Sequence, residues 1–558
     1  MNDYKKQYEL WLEKVTDEDV KKSLLGMSDE EIKNAFSFDL SFGTAGLRGV
    51  ISAGTDRMNV YTVYKATEGI ARYMKDKGMS SCAITYDSRI NSKRFSQIAA
   101  ATLARGGIYV YITDECMPTP FLSFIVRRLD CDLGINVTAS HNPGVYNGYK
   151  VYDSCGCQLT DEAANEVTEY IEQVDMFERP LPKFEDYLKT TLRDKKLIVG
   201  DIENLYDGDY TECVLDETMY KSRVLNVAYT PLNGAGYRIV PRVLKAGVQN
   251  LYVVPEQSYP DGNFTTCPYP NPEKDEALRL VIKLAEETHA DIAIANDPDS
   301  DRLGVAVNDG EKFVRLTGNE VGVLLTDYVL SMLKQCGKLP DNAIVVKTIV
   351  TSKMVNAIAA KYGVEAVDVL TGFKYIGDVI NKLEQKGEKE RFVFGFEESC
   401  GYLKGTYVRD KDGVIAAALI AECASYYKKE QGKTLLDRLN ELYAEFGNYL
   451  METVSYRFEG ADGAEIKRQL LDSLRGNPLK DVAGESVTAY CDFLTQTEYD
   501  LPKADVMRFN CADGSQLIVR PSGTEPLIKC YITTVGGKQS CKRRLEAIKN
   551  SLNKIFAK

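Results

Sequence analysis

One pattern constrains this chain more than any other: a short apolar run that reads as a strand, an amphipathic stretch that reads as a helix, then a strand again, three times over. Residues 82–86 predict a strand, 94–105 a helix, 107–113 a strand, 121–129 a helix and 133–137 a strand. Parallel strands can be joined only by a crossover, so this alternation predicts parallel pairing in sheets covered on both faces. The order returns from strand 225–229 through strand 251–254 and helix 273–288 to strand 291–295. It returns again from helix 322–336 through strands 343–347 and 392–396 to the helix after Val414. The two ends differ. The first forty residues predict helix, with Tyr8, Leu10, Trp11 and Val15 near a spacing of about 3.6 residues. The last hundred predict strands at 454–458, 487–493 and within 517–532, with fewer crossover helices. The expected fold class is α/β: three related α/β domains, 1–204, 205–322 and 323–447, and a closing α+β domain, 448–558. A chain of 558 residues holds four such units at about 150 residues each.

Composition removes several functions. Lys and Arg number 69 against 81 Asp and Glu, a net charge of −12. A surface of that sign repels a phosphate backbone, so no nucleic-acid partner is expected, although a local basic pocket survives under a negative average. The most apolar stretch, 414–421, is far short of the ~18 residues of a membrane span, so no membrane partner is expected either. The segment Met1-Asn-Asp-Tyr-Lys-Lys lacks the apolar core of a secretory signal. The 14 cysteines follow no framework spacing, and Cys155-Gly-Cys157 fits neither a zinc knuckle nor a CxxC redox pair. Reduced thiols in a cytoplasmic protein are expected. Only two histidines, His141 and His289, leave little room for zinc chemistry or Ser-His-Asp hydrolysis.

Ligands of open α/β sheets bind beyond the carboxyl ends of strands, and four unusual loops lie at such positions. The first is Thr138-Ala-Ser140-His141-Asn142-Pro143. No G-x-S-x-G elbow surrounds Ser140. Adjacent side chains rarely face one another, so Ser140 and His141 make a poor hydrolase dyad, and Ser140 reads as an acceptor or carrier of a group. The second loop is Asp297-Pro-Asp299-Ser-Asp301-Arg302. Three carboxylates at alternate positions repel unless a cation neutralises them, and all-oxygen ligation selects a hard ion such as Mg²⁺. An EF-hand would need glycine sixth and glutamate twelfth, where Arg302 and Asn308 stand. A haloacid-dehalogenase D-x-D-x-T run fails at Asp301. The third loop, Glu397-Glu398-Ser399-Cys400-Gly401, offers carboxylates that suit pairs of sugar hydroxyls, with a capping role the equal alternative. The fourth, Arg520-Pro-Ser522-Gly523-Thr524-Glu525-Pro526, combines a guanidinium, hydroxyls and a close-approach glycine, the makings of a phosphate cradle.

Together these loops ask for a phosphorylated sugar, a divalent metal and a serine. With Phe42-Gly-Thr44-Ala-Gly-Leu-Arg48-Gly ahead of them, they occur in the order of a known family and span about residues 40–530. The chain resembles the α-D-phosphohexomutases, the phosphoglucomutases and phosphomannomutases. Leu370-Thr-Gly-Phe-Lys374-Tyr-Ile-Gly looks most like the branch of bacterial phosphoglucomutases that also contains animal phosphopentomutase and glucose-1,6-bisphosphate synthase. The resemblance implies four domains with mixed sheets around a central active-site cleft and a phosphoserine at Ser140. It implies Mg²⁺ held by Ser140, Asp297, Asp299 and Asp301, and glucose 1,6-bisphosphate as activator and intermediate. Lys150 matches the general acid/base; His141 is the other candidate, expected to orient or polarise. Arg48 and Arg302 would flank the transferring group. Thr44, Thr371, Lys374, Glu397, Ser399 and Lys411 match substrate contacts, and Arg520, Ser522, Gly523 and Thr524 the holder of the idle phosphate. That last group lies on the closing domain, which is expected to shut over the cleft.

The activity implied is interconversion of glucose 1-phosphate and glucose 6-phosphate by a monomer or homodimer. Phosphopentomutase or phosphomannomutase activity stays open within the class; a metal-dependent sugar phosphatase and a binding protein without chemistry are the readings outside it. Two departures from the family pattern are Asn233, where many relatives carry histidine, and Cys400 in the sugar loop.

Overall fold

The Leu133–Val137 strand is buried at every position, as a strand covered on both faces must be. In this computed structural model, which describes residues 3–43, 46–188, 197–199, 202–458, 463–496, 501–522 and 527–556, it sits inside a six-stranded sheet. The order is Leu47–Val50, Tyr146–Asp153, Leu133–Val137, Ser81–Tyr86, Tyr109–Ile112, Leu197–Val199. Leu133–Val137, Ser81–Tyr86, Tyr109–Ile112 and Leu197–Val199 are parallel. Beside them Tyr146–Asp153 returns antiparallel, pairing Asn136 with Lys150. The second and third sheets repeat the device. Ile292–Asn296 turns back into Leu303–Asn308, and Phe392–Glu397 into Gly401–Leu403. These returns make all three sheets mixed.

The helical start is three helices, Asp3–Lys14, Glu18–Leu25 and Asp29–Phe36. They are separated where Asp17 accepts from Val20 N and where Ser28 and Glu31 form a capping box. Trp11 pins them to the first domain, its ring packing edge-on with Phe36, Tyr61 and Phe177. The expected divisions after residues 204 and 322 fall inside the helices Ile202–Asp216 and Gly318–Gln335. A capping box on Thr317 starts the second of these ahead of its apolar periodicity. We propose dividing the chain ahead of these helices and at Gly447.

The fourth sheet is wholly antiparallel, in the order Asn448–Arg457, Leu527–Gly536, Gln516–Pro521, Met507–Cys511, Glu485–Asp492, Asp481–Val482. With helices Gly463–Gly476 and Lys538–Phe556 it is the α+β unit. Its own core includes Met507, Phe509, Ile528 and Ile548. A smaller apolar seam sets Phe493, Val506, Ile518 and Tyr531 against Ile349, Val350 and Leu370 of the third domain. By contrast, one continuous core runs through all three α/β domains, from Phe121 and Tyr210 through Val227 and Ile294 to Phe396 and Leu419. Among the described residues no helix is long and apolar enough to cross a membrane.

Candidate active site

Each of the three antiparallel returns carries a loop of the site, and each loop holds one residue other than glycine in the left-handed region. Ser140 has φ 51°, Ser300 φ 54° and Cys400 φ 64°. That conformation costs an L-residue about 1–2 kcal/mol, and such strain gathers at functional sites.

Asp297, Asp299 and Asp301 are fully buried, and one carboxylate oxygen from each lies within 4.8 Å of the others. Ser140 Oγ donates to Asp297 Oδ2 at 2.7 Å, across the boundary between the first two domains. Burial and the neighbouring carboxylates push Asp297 well up. Asp299 lies below the usual carboxylate range, because Lys150, Lys411 and Thr119 outweigh its burial. The donor set fits a hard divalent ion. Asp299 Oδ1 and both oxygens of Asp301 are buried without a directed hydrogen bond, a costly arrangement that an ion would relieve.

Two lysines from different domains reach the aspartates. Lys150, on the return strand Tyr146–Asp153, stands 3.1 Å from Asp299 Oδ2 and 3.6 Å from Asp301 Oδ2. Lys411, from the third domain, lies 2.9 Å from Asp301 Oδ2. Asp301, Asp410 and Glu397 raise its pKa against the effect of burial. Arg302 turns its Nη1 to Glu273 at 2.6 Å, while its Nε is buried without a hydrogen bond. Arg48 is exposed on the strand Leu47–Val50, its Nη1 within 3.5 Å of Asn142 Oδ1.

His141 departs from the sequence expectation that neighbouring side chains do not meet. Its Nδ1 is 3.2 Å from Ser140 Oγ, because the left-handed turn at Ser140 brings consecutive side chains to one side. Burial and the nearby Arg302 and Arg48 hold the imidazole well below its usual pKa, so it is neutral.

On the other wall, Glu397 ends its strand buried, with its pKa raised chiefly by burial. Ser399 is half-buried in the following turn. Thr371 Oγ1 is buried without a hydrogen bond. Lys374 reaches across to Asp161 of the first domain at 2.5 Å. Arg520 and Ser522 are half-buried on the fourth domain, where Ser522 N donates to Leu527 O. Thr44, Gly523 and Thr524 lie outside the described residues.

Sequence models of the phosphoglucomutase/phosphomannomutase family match residues 39–178 as α/β/α domain I, 208–310 as domain II and 317–446 as domain III. The chain belongs to this family. A phosphoglucomutase of Staphylococcus aureus is 36% identical over 540 residues, 94% of this chain and 95% of that protein. A putative phosphomannomutase from Thermus thermophilus superposes with a TM-score of 0.68 at 20% identity, covering 93% of this chain and 100% of the other. The open form of parafusin, a phosphoglucomutase from Paramecium, gives 0.67 at 19%, covering 93% and 95%.

Several residues of this phosphohexomutase site escaped the sequence reading. Thr119 Oγ1 donates to Asp299 Oδ2 at 2.8 Å, and Asn136 Nδ2 donates to Thr119 Oγ1 at 2.6 Å. Glu273 holds Arg302, and Asp410 takes Tyr152 OH at 2.7 Å beside Lys411. Asp87-Ser-Arg89, after strand Ser81–Tyr86, was readable as polar residues at the carboxyl end of a strand neighbouring Leu133–Val137. Asn233, with φ 57°, suits asparagine better than histidine, and its amide donates to Glu256 O and Tyr259 O. The Cys400 thiol is buried and its pKa strongly raised by that burial, consistent with a quiet small hydrophobe.

Proposed function

We propose that the chain is a phosphoglucomutase that interconverts glucose 1-phosphate and glucose 6-phosphate, with Ser140 as phosphoryl carrier and glucose 1,6-bisphosphate as intermediate. The observation that carries this reading is the hydrogen bond from Ser140 Oγ into a buried aspartate trio that two lysines contact. A hydroxyl placed so can donate and reclaim a phosphoryl group.

Mg²⁺ held by Ser140 and the three aspartates would neutralise charge as it builds on the transferring group. The protein's own groups do the rest. Arg48 and Arg302 spread the charge of the equatorial oxygens. Lys150 receives the proton of the attacking hydroxyl at Nζ, which it does only as the neutral amine, and later returns it. With the Ser140 hydroxyl proton given to Asp297, neutral His141 donates from Nδ1 to Ser140 Oγ and orients the carrier. Glu397, Ser399, Thr371, Thr44, Lys374 and Lys411 hold sugar hydroxyls in either pose, so the bisphosphate can turn end for end between two transfers. Arg520, Ser522, Gly523 and Thr524 hold the phosphate that is not reacting, and closure of their domain excludes water that would hydrolyse the phosphoserine. The enzyme works in the cytoplasm as a monomer or homodimer.

The test is conversion of glucose 1-phosphate with Mg²⁺ and a trace of bisphosphate. Ser140→Ala is expected to lower turnover by at least about 10³-fold, since the covalent route is lost. Full activity of that variant would sink the serine-carrier mechanism. Comparing kcat/KM for glucose, mannose and ribose phosphates ranks the substrates, and glucose phosphate is expected first.

A further inference from the structure

The turn Asp87-Ser-Arg89 takes no part in the chemistry above, yet Asp87 and Arg89 are 1% and 3% exposed. Arg89 lies under the loop that carries Ser140. Its Nη2 donates to Ser140 O at 2.5 Å and to Asn142 O, and its Nη1 to Pro143 O at 2.9 Å and Tyr146 O at 3.1 Å. Asp87 balances the charge at 3.2 Å and accepts from Arg89 N, Ser92 Oγ and Thr138 Oγ1. Thr138 Oγ1 in turn accepts from Ser140 N at 2.8 Å. The ring of Phe264, from the second domain, lies 5.0 Å from the guanidinium.

Resting on the reading of Ser140 as phosphoryl carrier, we propose that Arg89 is a positioning residue whose buried guanidinium shapes the 138–146 loop and fixes Ser140 Oγ against the aspartates. Both backbone groups of Ser140 are tethered to this pair, N through Thr138 and O directly. The tethers hold a residue other than glycine in the left-handed conformation that aims Oγ at Asp297 and His141. Four carbonyl dipoles turned inward toward the cation are also turned away from the face that would receive a phosphate. A lysine cannot substitute: its three donors sit on one nitrogen, whereas the planar fork of arginine spans carbonyls on either side.

The experiment compares the full-length protein with Arg89→Lys, after checking the fold by circular dichroism. Two readouts are used: steady-state kinetics on glucose 1-phosphate, and intact mass after incubation with glucose 1,6-bisphosphate and Mg²⁺. A Ser140 displaced by about 1 Å is expected to lower kcat on the order of 100-fold. The KM should stay within about threefold, because the idle-phosphate contacts and all the sugar contacts except Thr44 are on other domains. The 80-Da phosphoserine increment, about one phosphoryl mass, should appear more slowly than in wild type. A folded Arg89→Lys with wild-type kcat overturns the proposal. If that variant does not fold, Thr138→Val decides: about a tenfold fall in kcat at unchanged KM supports positioning, and an unchanged kcat overturns it. A wild-type protein that takes no phosphate and turns over no sugar removes the carrier reading and this proposal together. Normal wild-type turnover with an unaffected variant removes only the role of Arg89.

Discussion

The Ser140 loop and the aspartate loop leave the same kind of strand and return the same way, but they are held by different means. The aspartate loop combines bonds within itself with backbone ties from close neighbours: Thr119 N donates to Asp299 O at 2.8 Å, Ala235 N to Pro298 O at 2.7 Å and Gly413 N to Ser300 O at 3.1 Å. Ser300 N donates to Asp297 O at 2.9 Å, Arg302 N to Asp297 Oδ1 at 3.0 Å, and Asn296 Nδ2 to Arg302 O at 2.7 Å. Neighbours press on it so closely that a Cβ at Gly413 would stand 2.5 Å from Ser300 O. The Ser140 loop is longer and takes its shape from Asp87 and Arg89, some fifty positions earlier in the chain. Six consecutive residues bring the three carboxylates together, with short-range bonds and close backbone neighbours to hold them. A nucleophile on a longer loop needs a buried cation to gather its carbonyls.

The largest effect expected from this contrast separates strain from chemistry. Ser140→Gly relaxes the left-handed backbone but removes Oγ, and should lower turnover by at least about 10³-fold. Asp301→Asn should follow, with kcat lower by about 10²-fold and a higher Mg²⁺ requirement, read from activity against Mg²⁺ concentration. Thr119→Val removes the hydroxyl that orients Asp299, and should weaken Mg²⁺ activation by about 10-fold or more with kcat largely kept at saturating metal. An unchanged Mg²⁺ titration would show that the aspartate loop needs no outside support.

Glu398 gives a pH test. Burial, with Glu397 adding repulsion, pushes its pKa up to about 7, while Thr348 donates to it at 3.2 Å. A carboxyl whose folded pKa is raised stabilises the fold fully below the unfolded value and loses that contribution as pH rises through about 7. Glu398→Gln should therefore lose less stability than wild type between pH 5 and pH 8, by about 1 kcal/mol after allowance for solvent at a half-buried side chain, measured by thermal unfolding. The smallest effect is Ser300→Gly, which relieves the same backbone strain as Ser140→Gly. It should leave turnover intact and change stability by no more than about 1 kcal/mol.

Most crossover strands, though not Leu197–Val199 or Glu365–Val369, and the four loops were legible because apolar runs and clustered carboxylates are local signals. Leu133–Val137 was readable to the residue. Its return strand Tyr146–Asp153 was not, since Asn147, Lys150 and Asp153 look like loop. Their partners are distant: Asn147 Nδ2 donates to Ile90 O and Ser92 Oγ, and Lys150 to Asp299. Lys150 is polar because it faces the site, while Asn147, on the opposite face, ties the strand to the segment after Arg89. Arg89 was missed for the same reason, as a surface-type residue made internal by carbonyls that only the folded loop supplies. The breaks at Asp17 and Ser28 were present as cap signals within the helical start.

The seam between the third and fourth domains has a further consequence. One core cluster runs through parts of all three α/β domains, the first two of which also keep clusters of their own, while the fourth has a separate core and is joined to the third through a small cluster around Ile349, Phe493 and Tyr531. The swing of the piece bearing Arg520 that we propose would therefore leave the aspartates undisturbed. Apparent affinity for a sugar phosphate then equals intrinsic affinity scaled by the fraction of time the hinge is shut, so a substitution in the seam would alter occupancy while leaving the chemical step unchanged.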